Sequence, residues 1–553
     1  MLFDKKIAEE DISVSDKKYD VIIIGAGTAG LGTAALLSND FNKSVLILEK
    51  APFIGGRLAS FVGKGDKVHI DGIELDANGF QRAMALIGCW IPKCTPELEE
   101  CFKQGMFDGY TLDTGHGLFW GNKGKIRNFM DYLDKPVDMP CNVGFAFVDY
   151  KKGNKAYQVS KGEPYQWMSE EGYKSTMKAL RDMATMSFED VAQTAHMSFE
   201  EWLQSRNIHK QAYDYIKVLA ASQTGQADLN LTPAPDVLGH MCIASDIRMN
   251  LVDGSCSTVA NPGTMAFALL MEKVVKENGG EILRNAPVLE TIIQKGKVEG
   301  VTYQTSKGIE TAYADAVICT VPSKQMLQVI HPRNFPQEVV DRIQEEYWGA
   351  GMITGLGGMK SNVWEEKGIE ERSFIYMPDV IGTEEGYSGC VDMVLWNLAS
   401  TARGSNSSPE LTDETGSAPE DKHGWIFSTA LTHDEMRDPH KVNRVIEWNE
   451  RWWKRTFGAD KWESEMDFLI WMCSDHAFSY IQPIGHDRID VKSPWVEGLY
   501  FAGDQYGERL WGCGVDAAAL SAALCVDVMM GSNLEEKIFK PYHRAMPARV
   551  KTW

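Results

Sequence analysis

The sequence predicts an α/β protein in which a Rossmann-like dinucleotide-binding domain, built from separated stretches of chain, carries a discontinuous mixed α+β second domain. Three observations lead there. A glycine-rich turn joins an apolar strand to a small-residue helix within 19–61, a helix followed by short strands fills 261–322, and a strand, a Gly-rich turn and an Ala-rich helix occupy 498–530. None of these blocks can bury its own apolar face, so they must meet in one layered unit. The intervening stretches, 62–252 and 326–494, hold most of the tryptophans and the amphipathic segments Ser198–Gln204 and Val442–Phe457, which marks them as the second domain. No repeat of fixed period runs through the chain.

In the first block the run Val21-Ile22-Ile23-Ile24 reads as a buried parallel strand. Gly25-x-Gly27-x-x-Gly30 follows directly and opens a helix containing Ala29 and running to about Leu37; the next strand is Val45–Leu48, and Glu49 stands at its end, 19 residues past Gly30. Glycines there permit a tight turn and close approach of backbone N–H groups to a pyrophosphate, whose charge the helix N-terminus stabilises, while Glu49 is placed to accept ribose hydroxyls. The second block predicts a helix from Thr264 to about Glu277, a stop at Gly279-Gly280, and strands at Glu281–Leu283, Val288–Ile293, Val298–Gln304 and Ala316–Thr320. The third predicts a strand over Leu499–Ala502 and a helix ending near Met530.

Composition removes several classes of function. With 77 acidic and 56 basic side chains the net charge is −21, which argues against nucleic acid or an anionic membrane as the main partner and leaves open only a peripheral membrane contact. Met1–Lys18 lacks the apolar core of a signal peptide, and the uncharged stretch Val21–Asn39 holds four glycines in a strand-turn-helix pattern, so neither export nor a membrane span is expected. Eleven cysteines between Cys89 and Cys525 suit a reducing, cytoplasmic setting. Ser400–His423 is poor in large apolar residues and predicts a mobile surface loop.

Six residues beyond Glu49 comes Gly55-Gly56-Arg57, giving Glu49-Lys50-x(4)-Gly55-Gly56-Arg57. Together with the glycine fingerprint this resembles the FAD-dependent superfamily of flavin amine oxidases, phytoene desaturases and protoporphyrinogen oxidases. The resemblance implies noncovalent FAD, with Gly56 and Arg57 along the diphosphate. It extends to Asn285-Ala286-Pro287-Val288, where Val288 would hold the adenine; to Gly503-Asp504, an acidic position beside the diphosphate and ribityl chain; and to Gly514-Val515-Asp516, the start of a helix whose amides would face the flavin and stabilise negative charge. Thr114-Gly115-His116 resembles the turn passing near the isoalloxazine. The division implied is an FAD-binding domain over 17–61, 107–125, 253–325 and 495–532, a substrate-binding domain over 62–106, 126–252 and 326–494, and a C-terminal tail from 533.

Phe61–Met106 departs from the family pattern, where the Asp-x-Gly-His turn follows Gly-Gly-Arg more closely. Cys89, Cys94 and Cys101 lie in it without C-x-x-C spacing or an evident fourth ligand, so no metal is expected. His116 reads either as an acid, base or attachment point beside the flavin or as a turn residue bonding a carbonyl. Cys513 reads as a packed small residue, since the local motif of a covalent flavin link is absent. Trp471, Phe478, Tyr480, Trp495 and Trp511 read either as core or as walls of an aromatic cavity for an apolar or cationic substrate; His116, Tyr480 and Trp511 are the catalytic candidates.

Family amine oxidases commonly carry a lysine ten residues before a tryptophan on a substrate-domain strand. With Trp364 as that tryptophan, the position holds Thr354. The leading expectation is therefore an FAD-dependent dehydrogenase or desaturase that makes or rearranges C=C bonds in a mostly hydrophobic substrate. Amine oxidation is the runner-up, a redox-neutral double-bond isomerase comes third, and an FAD-stabilised scaffold is the reading from outside enzymology. No second fingerprint follows a strand, so no separate nicotinamide site is expected. The electron acceptor, whether oxygen, a quinone or a carrier protein, is left open.

Overall fold

A computed structural model describes residues 18–114, 125–137, 144–149, 153, 155–159, 165–224, 228–243, 263–369, 373–376, 391–399, 418–419, 421–477, 480–507 and 514–544. Strand Lys18–Ile24 sits between Val45–Leu48 and Gly308–Cys319, all parallel, and Glu281–Leu283 and Leu499–Phe501 extend the parallel set at its two sides. Ile22 and Ile24 enter one apolar cluster, Val21 and Ile23 the other. A strand buried on both faces must be apolar at every position, which is why this run shows no alternation. Helices Thr28–Phe41, Met265–Glu277 and Gly514–Met530 cover the face reached by Val21 and Ile23.

Gly308–Cys319 begins eight residues before the expected Ala316. Its first half pairs with Lys297–Thr305 in an antiparallel meander and leaves Ile309 and Tyr313 exposed, so polar residues alternate there and the apolar signal appears only where the strand turns central. The segment after 533 forms a helix, Leu534–Arg544, because Leu534, Ile538 and Phe539 fall on one face and bury it.

The second domain is built on an eight-stranded sheet in the order Cys89–Thr95, Met466–Ser474, Gly351–Met359, His423–Leu431, Val391–Ala399, Ser373–Tyr376, Gly144–Asp149, Lys155–Val159. Cys89–Thr95 belongs to this sheet, whereas Ser60–Lys64, Lys67–Ile70, Ile73–Leu75 and Thr111–Asp113 form a separate antiparallel sheet of four strands. Ile353, Phe427 and Trp471 project to the outer face, where helices Pro439–Phe457 and Ala459–Glu465 bring Trp448, Trp452, Trp453 and Trp462. Met352, Leu356, Ile426, Ala430, Ile470 and Met472 project to the inner face and join the cluster that includes the flanking helices.

This register divides the aromatic residues. Trp471 stacks on Trp453 at 5.4 Å in the outer core, and Trp495 packs edge-on against Phe335 at 5.7 Å in the dinucleotide domain, so both are structural and neither faces the inner side. The run Phe468–Ser474 is apolar on both faces, which hides from the sequence the face that each ring takes. Among the described residues no helix is long and apolar enough to cross a membrane.

Candidate functional site

Gly25 leaves the first strand at φ +104, a conformation that favours glycine, and a Cβ there would lie 2.7 Å from Thr320 Oγ1. Gly30 lets the helix close on this turn: a Cβ would lie 2.0 Å from the Gly25 carbonyl oxygen. A Cβ at Gly27 would meet nothing within 4 Å, so its face is open to a ligand. Gly27 is also the helix N-cap and makes no side-chain cap bond, which leaves first-turn N–H groups available to an anion. Ala29 is buried behind it. The Gly55 N–H donates to the Ala26 carbonyl at 2.8 Å, and Gly56, at φ +55, faces Gly27 Cα. The two glycine motifs are thus one cradle.

Glu49 is buried at the strand end and accepts from the N–H groups of Ala26 and Ala51, both at 2.8 Å. Burial raises its pKa and these bonds oppose the rise. Lys50 beside it is exposed. The Ala286 N–H donates to the Glu49 carbonyl at 2.8 Å, which brings the segment leading to Val288 against the fingerprint. Val288 begins its strand half-buried, paired with Tyr303. Arg284, just before this segment, forks onto Asp71 at 2.7 and 3.0 Å and reaches Glu272 at 2.7 Å.

Asp504 ties the C-terminal block to the first. Its Oδ2 accepts from the Gly514 N–H at 3.1 Å and lies 3.5 Å from Arg57 Nη2, whose guanidinium is half-exposed at the same opening. The Gly503 N–H donates to Ser521 Oγ at 3.0 Å, pinning the turn to the last helix. Gly514 is at φ +73 with open space where a Cβ would be, and Val515 beside it is half-buried. Asp516 is directed elsewhere: its carboxylate accepts from the Ile126 N–H at 2.8 Å and holds helix Lys125–Tyr132. Burial raises its pKa.

Thr114 donates to the Ala59 carbonyl at 2.9 Å, while Gly115 and His116 lie outside the described residues, as do Phe478, Trp511 and Cys513. The neighbouring Asp113 is fully buried; it accepts from Ser60 Oγ and from the Thr264 N–H at 3.2 Å, and burial pushes its carboxyl up to about 6. Tyr480 stacks on Trp348 at 3.7 Å, across a short antiparallel pairing, and its carbonyl accepts from Gln505 Nε2 at 2.7 Å. It stands within one residue link of Asp504.

Sequence reasoning missed Arg284, Asp71, Glu272, Asp113 and Gln505. Arg284 and Asp71 lie 213 residues apart and carry no local signal. Asp113 had one, being the acidic residue of the stretch that supplied Thr114. Cys94 and Cys101 come within 3.7 Å, sulfur to sulfur, in the core.

The cradle fits a dinucleotide on the structure's own terms, with two open glycines facing one another, a helix start with free amides, a carboxylate at the second strand's end and an arginine at the rim. Such a fold and site define an α/β dinucleotide-binding protein. A family model for flavin-containing amine oxidoreductases matches residues 102–530, and one for NAD(P)-binding Rossmann-like domains matches 23–81. The chain belongs to the flavin-containing amine oxidoreductase family, and its cofactor is a noncovalently held flavin, FAD.

Among curated proteins, an L-amino-acid oxidase of Mus musculus is 21% identical over 368 residues, 66% of this chain and 51% of that protein, so the match spans about half of the relative's length. A putrescine oxidase solved with putrescine bound is similar in fold (TM-score 0.61, 15% identity, 93% of this chain and 99% of that one). So is cyclohexylamine oxidase from Brevibacterium oxydans (0.58, 14%, 93% and 100%). RAB GDI from Plasmodium falciparum shares the fold at 0.53 and 14% identity, covering 94% and 99%.

Proposed function

We propose that this oxidoreductase takes a hydride from a C–H bond of a mostly hydrophobic substrate, forming or rearranging a C=C bond. One observation carries the reading. Thr354 occupies the position where the family resemblance calls for a lysine; it is buried on the inner face of the large sheet, shares a hydrogen bond with Ser428 at 3.4 Å, and is flanked by Met352 and Leu356. A neutral hydroxyl in place of the lysine, set between Met352 and Leu356, suits a hydrophobic substrate held by burial.

When bound, FAD supplies the two-electron acceptor. The chain's own part is to hold and orient. Backbone amides at Gly27 and Gly30 with Arg57 would hold the diphosphate, Glu49 the ribose and the Val288 backbone the adenine, and the first amides of helix Gly514–Met530 would favour negative charge near them. The apolar side chains of the inner face would exclude water. His116 and Trp511 stay candidates for contact with substrate, alongside Tyr480.

Amine oxidation is the second reading, favoured by the Trp348–Tyr480 pair, since stacked rings also suit a cationic amine, and by relatives named for amines. Anaerobic mixing separates the two. A hydrophobic donor with an allylic or ring C–H is expected to bleach the flavin absorbance, or to be isomerised without net bleaching, while primary amines and polyamines leave it unchanged. Rapid bleaching by an amine overturns the leading reading, and no response to either class points to a scaffold. Oxygen, a quinone and a carrier protein are the acceptors to try in turn.

A further inference from the structure

Behind Tyr480 lies a buried acid that the proposed chemistry does not use. Glu346 ends the stretch before strand Tyr347–Trp348 and is 3% exposed. Ser323 Oγ donates to its Oε2, and Gln482 Nε2 donates to Oε1 at 2.6 Å. Ser323 opens a helix that follows the central strand of the dinucleotide domain, and its N–H donates to Gln505 Oε1 at 3.2 Å. Gln505 follows Asp504 and donates to the Tyr480 carbonyl at 2.7 Å. One closed set of buried hydrogen bonds therefore joins the Asp504 turn, the Ser323 helix, the strand of Trp348 and the strand of Tyr480. Ser323, Gln482 and Gln505 are each buried to more than nine-tenths.

We propose that Glu346 is a positioning residue, whose carboxyl clamps the dinucleotide domain at Ser323 to the second domain at Gln482 and so fixes the Trp348–Tyr480 pair beside the cofactor site. Its protonation state changes the clamp. As carboxylate it accepts from both donors; as acid it must donate from one oxygen, and Ser323, the hydroxyl within reach, has to reverse its role. The charges that face it are Lys324 on the Ser323 helix and Arg342 on helix Gln337–Glu345, both favouring the anion, with the phenols of Tyr480 and Tyr506 feeling its charge. Burial outweighs the hydrogen bonds from Ser323 and Gln482 and the two cations, and pushes the carboxyl up to about 7, so the switch falls in the physiological range.

The inference rests on the reading of the site as a flavin site, and two substrate-free measurements separate its failure from that reading's. The first uses apoprotein. A carboxyl raised from about 4.5 to about 7 in the folded state binds more protons than the unfolded chain between those values, so its contribution to stability is complete below the lower value and lost as pH rises through the upper one. Relative to Glu346→Gln, the wild-type folding equilibrium constant is expected to fall on the order of 100-fold between pH 5 and 8. The second is the visible circular dichroism of the flavin-loaded protein against pH. Wild type shifts with a midpoint near 7; Glu346→Gln, which keeps both hydrogen bonds but cannot titrate, holds the low-pH spectrum throughout; Glu346→Ala matches neither. A wild-type midpoint that persists in Glu346→Gln, or an Ala variant with the wild-type spectrum and titration, overturns the proposal. A pH-dependent stability difference in a protein that takes up no flavin sinks the site reading and leaves the acid's placement standing.

Discussion

Gly30→Ala is expected to purify without colour. The added Cβ would lie 2.0 Å from the Gly25 carbonyl oxygen and 3.1 Å from its carbon, and because both are backbone no rotamer change can relieve the contact. The helix must move off the turn, which takes its first amides away from the diphosphate position and breaks the cradle. FAD affinity should fall at least ~100-fold, about 2.7 kcal/mol, by titration followed through flavin fluorescence. Gly27→Ala is the contrast. Its Cβ meets no protein atom within 4 Å, so the apoprotein should unfold like the parent while FAD binding weakens through contact with the ligand alone. A Gly30→Ala protein that binds FAD within about threefold of the parent would contradict the close packing on which the whole first block depends.

The second large effect lies at Arg284. Its guanidinium answers two nearly buried carboxylates, Asp71 and Glu272, through three hydrogen bonds of 2.7 to 3.0 Å. Burial raises the pKa of Asp71 and Arg284 counters it, so removing the cation leaves a carboxyl with little to compensate it beyond the Ile54 N–H at 3.1 Å. Glu272 keeps Lys276 at 2.9 Å. Arg284→Ala should lose about 3 to 5 kcal/mol in urea unfolding, the range for one partner of a buried pair. Adding Asp71→Asn to that variant should recover part of it, since the stranded charge is then gone. A loss below about 1 kcal/mol would mean that water reaches the pair and solvates it.

How much of this was legible follows from the range of each interaction. The fingerprint, Glu49 and the Gly55-Gly56-Arg57 turn are set by backbone sterics over a few residues, so the residue types announce the geometry, and the structure brings them within hydrogen-bond reach of one another. The parallel core was legible for a similar reason, as a strand buried on both faces must be apolar throughout. Gly308–Cys319 is legible only from Ala316 on, because its first half is an exposed meander edge with alternating polarity. Trp471 could not be assigned to a face, as Phe468–Ser474 offers apolar side chains to both. Glu346 and Arg284 left no trace at all, since each depends on partners brought from distant stretches of chain, such as Gln482 and Asp71.

The central claim is that three separated blocks build a single noncovalent FAD site. It is tested most directly by acid precipitation of the purified, flavin-loaded protein with the flavin quantified in both fractions. The account predicts one FAD per chain, all of it in the supernatant. Colour retained in the pellet would contradict it and turn attention to Cys513 and His116 as attachment points, and a protein that cannot be loaded with flavin at all would contradict the site itself.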